Sequence, residues 1–179
     1  MSFETETLPF SLLEHSQDHK QKELFAAWRS NGLSEMIMRY ADHLILMSSD
    51  AKTGLPVELF KGDKSLAAKV LGELWQPDLA TCAGSKDIFR AYDSSSFGEP
   101  TFQYVSHKGQ RNNNKFHVRY ERLVLPFKIG GGLPQFVTLS SLVSFEIQPI
   151  VAQNHGNDFS PSHRASSQIL LGMEQLANL

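Results

Sequence analysis

The sequence predicts an α+β fold built on one antiparallel sheet. Two strand candidates sit close together early in the chain, three more follow late, and a helical middle separates them. Strands grouped in runs, with helices between them, favour an antiparallel sheet over alternating βαβ units. At 179 residues, with 41% hydrophobic and 20% charged content, the chain can bury one sizeable core.

From the N-terminus, residues 1–16 read as an arm. A helix is expected from Gln17, with Leu24, Phe25 and Trp28 on one apolar stripe. Asn31-Gly32 ends it, because both residues accept the left-handed conformation that follows helices. A short helical or extended piece covers 33–41. "HLILMSSD" (43–50) and "LPVELFKG" (55–62) read as strands of a hairpin around the polar "AKTG".

Asp63 is placed to cap a helix over 64–74, where Leu66, Val70 and Leu74 recur every four residues. Residues 75–99 are irregular, with a short helix over 85–93. Strands are expected at 101–108, 115–128 and 134–148, linked by "GQRNNN" and "IGGGL". Ile169, Leu170, Met173 and Leu176 mark an amphipathic helix within 162–179. The expected organisation is an arm and helix (1–40), a domain (41–148), and a linker with a C-terminal helix (149–179).

Alternation sorts the charges of the fourth of these strands. Arg119 and Glu121 share a face with His117, Leu123 and Leu125. Tyr120 and Arg122 share the other with Phe116, Val118 and Val124. Both faces are mixed, as in a sheet covered on each side over part of its length. The charges therefore read as edge rungs or salt-bridge partners rather than catalysts.

A formal net charge of −2 gives no electrostatic reason to expect nucleic acid or an anionic membrane as partner. The lone Cys82 allows no intrachain disulfide and fits a reducing compartment. No signal peptide is visible, and no apolar run approaches the ~20 residues that span a bilayer. A cytoplasmic protein is expected.

Catalytic motifs are absent. No G-x-S-x-G elbow or phosphate-binding glycine pattern occurs, and Cys82 has no basic neighbour before Lys86. His15 and His19 stand four apart, a spacing that can chelate on a helix, but they belong to no metal motif and read as solvated. His107 and His117 fall on adjacent strands and read as polar strand positions.

Three segments carry a family resemblance: "LFKGDKSLAAKVLGELW" (59–75), "GEPTFQYVSHKG" (98–109) and "YERLVLPFKIGGGLPQFV" (120–137). With the order β-β-α-α-β-β-β, they resemble the PAS domain family over about residues 40–148. "GGGL" and the serine-rich "TLSSLVS" depart from the family's pattern. The resemblance implies a five-stranded antiparallel sheet with a helical segment between strands 2 and 3, plus terminal helices. It implies a non-enzymatic sensory or regulatory protein of bacterial signal transduction or transcriptional control, with an unknown output protein. A small molecule would bind between sheet and helical segment. Phe60, Trp75, Phe89, Tyr92, Tyr104 and Phe116 are the candidate lining, and Phe102 and Tyr120 belong to the same aromatic set. The flavin-photoreceptor motif is missing and no cofactor is named. A haem would need an axial histidine, for which His107 and His117 are the weak candidates. The resemblance also implies a homodimer, with Leu24, Phe25 and Trp28 as its interface. The alternatives are a small enzyme or ligand carrier on an NTF2-like or lipid-transfer-like cone, with Glu121, His117 or Asp93 as base, and a structural interaction domain with a filled core.

Overall fold

Period-two alternation of apolar residues builds the centre of the molecule from three long strands. These are β4 (Thr101–Arg111), β5 (Asn114–Phe127) and β6 (Gln135–Pro149) in a computed structural model. The structure describes residues 2–16, 18–50, 52, 56–71, 91–92, 98–111, 113–127 and 135–150. β1 (Ser2–Thr7), β2 (Leu44–Ser49) and β3 (Pro56–Lys61) complete one antiparallel sheet in the order β1-β4-β5-β6-β2-β3. The sheet has six strands rather than the expected five. The added strand is the supposed arm, which pairs along β4 from Ser2↔Lys108 to Thr7↔Gln103.

The other strands fall within a few residues of the expected ranges. The β4–β5 link is shorter than expected, because Asn113 takes a left-handed φ of 60° and closes the turn tightly. A second close approach lies just after β3. The Gly62 N–H donates to the Leu44 carbonyl at 2.8 Å, and a Cβ at Gly62 would stand 2.2 Å from the Asp42 carbonyl oxygen.

Helix α1 (His19–Arg29) is capped by Asp18, whose carboxylate accepts the Lys20 N–H at 2.9 Å. It ends at Asn31, with φ 59°, and the Gly32 N–H returns to the Ala27 carbonyl at 2.8 Å. Helix α2 (Leu33–Arg39) follows. Where an α-helix was expected over 64–74, Ala67–Leu71 forms a π-helical turn. The expected 85–93 helix is described only at Ala91 and Tyr92, and the 162–179 helix lies outside the described residues.

Two apolar clusters sit on the two faces of the sheet. The first, the inner cluster, joins Ile45, Val105, Val118, Tyr120, Val124 and Phe136 to Leu66, Ala67, Ala91 and Tyr92 of the crossover. The second joins Leu44, Phe102, Leu123, Leu125, Val137 and Leu139 to Leu13, Leu24 and Leu33. At 11 residues, α1 is too short to be helical alone, so tertiary burial holds it. Leu24 is fully buried, worth about 1.5–3 kcal/mol relative to exposure. Trp28 adds an Nε1–H bond to the Pro126 carbonyl at 2.8 Å.

Candidate functional site

Every second residue of central β5 faces the inner cluster, and one of them is an arginine. Arg122 is 2% exposed, among the largest buried side chains of the chain. It is no edge rung, because β5 lies between β4 and β6. Its guanidinium donates to Gln103 Oε1, cross-strand on β4, and stands 5.6 Å from the centre of the Tyr92 ring. The Tyr92 hydroxyl lies 3.3 Å from Thr138 Oγ1. Gln103 and Thr138 are themselves buried.

Tyr120 sits one turn of the pleat away on the same face. Its hydroxyl is buried and has no hydrogen-bond partner among the described residues. Burial pushes this phenol up to about 12, against the pull of the Arg122 charge, so it stays protonated. Tyr92, Tyr120, Arg122 and Thr138, with Ile45, Leu66, Ala67 and Ser140, line a small, partly open cavity of ≈ 10 Å³. That is room for one water and nothing larger. The described groups offer hydrogen-bond donors to an oxygen-bearing guest, and include no nucleophile–base pair.

The aromatic residues expected to line one ligand site are not brought together. Tyr92 lines this cavity. Phe116 is buried farther along the same face, its ring over Gly109. Phe60 is 44% exposed on β3, and half-buried Tyr104 pairs with Glu121 on the opposite face. Phe102 belongs to the cluster under α1. Trp75, Phe89, Cys82 and Asp93 lie outside the described residues. The buried polar residues Arg122, Gln103 and Thr138 were missed. Their sequence signal was the placing of Arg122 on the face of Phe116, Val118 and Val124.

The expected dimer stripe is engaged within its own chain. Leu24 has no exposed surface left for a second copy, and Phe25 and Trp28 pack half-buried on the same cluster. Phe25 also stacks on Phe10, centroids 4.6 Å apart.

Glu121 lies on the α1 side of the sheet, not in an enclosed cavity. Ser16 Oγ is 3.1 Å from both Glu121 Oε2 and Gln21 Oε1, its one proton serving one at a time. Ser141 Oγ donates to Asp18 Oδ2, so this polar knot ties the start of α1 to β5 and β6. The knot forms one wall of an open cleft of ≈ 790 Å³, which runs past Ser140–Val143 to Lys64, Leu66, Lys69 and Val70. His15 and His19 stand at its rim. Among the described residues no group of three or more His, Cys, Asp or Glu could hold a metal.

His117 is half-buried on the outer face beside Ser106 Oγ, at 2.8 Å, and burial and Arg119 hold its pKa below the usual value. His107 is 2% exposed, stacked on Phe3 with centroids 3.9 Å apart and edge-on to Phe116. Neither ring nitrogen has a hydrogen-bond partner among the described residues. Burial, with help from the chain amine and His117, lowers its pKa to about 4. No helix among the described residues is long and apolar enough to cross a membrane. No family model, curated protein or solved structure matches the chain.

Proposed function

We propose that the protein is a non-enzymatic, PAS-like sensory or regulatory domain whose small-molecule signal acts on the buried Tyr120–Arg122 cluster. The observation that carries this reading is the polar set itself, enclosed between sheet and crossover. The Tyr120 hydroxyl has no partner among the described residues; left dry, such a group costs about 1–3 kcal/mol, and a purely structural core would avoid it with phenylalanine. A guest carrying a carbonyl or carboxylate oxygen recovers that cost. The connectivity also supports the reading: a hairpin, a crossover on one face, then three consecutive strands whose last lies beside the first strand of the hairpin.

The small volume of the cavity supplies the mechanism. A guest larger than water enters only if the crossover shifts outward, so binding favours a different packing of sheet and crossover. The shift is the signal read by an output protein. The test is native mass spectrometry of the chain purified from its own host, with thermal shift against a panel of small carboxylic acids. A bound molecule is expected, and Tyr120→Phe weakens its binding without lowering the melting temperature of the free protein. A bare chain, with identical shifts for both proteins across the panel, would sink the proposal.

A further inference from the structure

β2 covers only the first part of β6. Its pairing runs from Ser48↔Gln135 to Leu44↔Leu139. Beyond Leu139 no described strand lies on that side of β6, so among the described residues Ser140–Pro149 is an open edge about 33 Å long. Its main-chain donors and acceptors form a template for another strand.

The sheet's other edges carry protective features. Outermost β1 alternates exposed Glu4 and Glu6 with Phe3 and Thr5. Outermost β3 begins at Pro56, ends at Lys61 and carries a register shift opposite Leu46/Met47. Such charges, prolines and irregularities discourage added strands. The open part of β6, "SSLVSFEIQP", holds one charge, Glu146, which Arg119 pairs internally.

This edge is apolar on the face of the inner cluster. The register places Leu142 beside Tyr120, Phe145 beside Val118, and Ile147 beside Phe116. The β5 residues of these pairs are buried, and Phe145 packs on the cluster. Leu142, Val143 and Ile147 remain 43%, 54% and 56% exposed. The ≈ 790 Å³ cleft leaves room beside Ser140–Val143 for an entering strand.

We infer that the open edge of β6 is a homodimer interface, at which a second copy adds its own β6 antiparallel across a two-fold axis at Phe145. The segment is self-complementary in that register. Val143 faces the partner's Ile147, and Ser144 faces the partner's Glu146. Placing the axis at Glu146 would set two like charges side by side, which disfavours that alternative. The contact is isologous and closed, so it stops at two copies. It joins two six-stranded sheets into one and needs no ligand in the buried site.

The experiment is light scattering of the full chain across a concentration series, with hydrogen exchange at each concentration. A species of twice the 20.1 kDa chain mass is expected, with amides 141–148 protected only as it forms. Val143→Lys with Ile147→Lys changes two exposed side chains, so the fold survives by circular dichroism. Dissociation is then expected to become at least about tenfold easier, because four like charges meet at the interface. Leu59→Lys on β3 is expected to leave the dimer intact. A chain monomeric at all concentrations would overturn the inference, including one whose 141–148 amides are protected regardless of concentration because residues 151–179 cover the edge. A dimer that survives the double substitution, or dissolves with Leu59→Lys, would overturn it as well.

Discussion

His107 and Tyr120 are buried polar groups that pack as hydrocarbons, and this makes their chemistry predictable. His107 titrates near 4 when folded and near 6.5 when unfolded. The unfolded chain therefore binds the proton more readily, so the histidine's contribution is intact above about pH 6.5 and is lost as pH falls toward 4. The loss approaches about 3 kcal/mol at the acid end, one pKa unit being about 1.4 kcal/mol. Chemical denaturation at pH 7 and pH 4.5 should show this loss in the wild type. His107→Phe should abolish most of it, since phenylalanine keeps the stacking on Phe3 without the basic nitrogens. An unchanged acid sensitivity would show that other groups set it. Tyr120→Phe should be neutral, or stabilise the free protein by about 1 kcal/mol, because it removes an unpaired hydroxyl and leaves the ring. A loss of more than about 1 kcal/mol by the same assay would mean that the hydroxyl has a partner in the folded chain.

At the scale of elements, α1 explains why β5 reads as mixed. On one face Leu123 and Leu125 lie in the cluster under the N-terminal helices, while Arg119 and His117 run past that cover and meet Glu146, Ser144 and Ser106. The charge pattern was legible as alternation, but where the cover ends depends on how α1 lies across the sheet. The same gap hid that Leu24, Phe25 and Trp28 pack on their own sheet, since an amphipathic stripe has the same spacing there or on a second copy. Leu24→Ala should cost about 2–5 kcal/mol by denaturant titration, as for other fully buried leucines, without changing the association state. A stable variant with altered assembly would restore α1 to the interface. The turn after β3 is as demanding. Gly62→Ala should destabilise by at least about 1 kcal/mol, because the added methyl meets main-chain carbonyls rather than a side chain that can swing away. A melting temperature within a degree of wild type would show that the turn opens without strain.

For the whole molecule, the strands β2 to β6 were legible because each is a run of apolar and β-branched or aromatic residues between turn-forming residues, alternating most clearly in β5. β1 was not, because "SFETET" offers only one large apolar residue, and an edge strand needs cover on one face alone. That one residue closes a row across the sheet: Phe3, His107, Val118 and Phe145. The buried site was half legible. An aromatic lining was expected between sheet and crossover, but sequence spacing cannot show which strand lies at the centre. Arg122 therefore reads from sequence as an edge rung or a salt-bridge partner rather than as a central, buried residue.

The row also ties β1 to the acid response. If Phe3 is what keeps water from His107, removing residues 1–7 should act at two places at once. The β4 edge loses its pairing from Gln103 to Lys108, which lowers stability at pH 7. The imidazole gains solvent, so its pKa should climb from about 4 toward the ordinary 6.5, and most of the acid-dependent loss should vanish. NMR titration of the His107 ring measures the second effect apart from the first, using Phe3→Ala in the full chain should the shortened one fail to fold. A ring that still titrates near 4 without the Phe3 side chain would mean that its other neighbours, Phe116 among them, bury His107 unaided, leaving β1 only to cap the sheet.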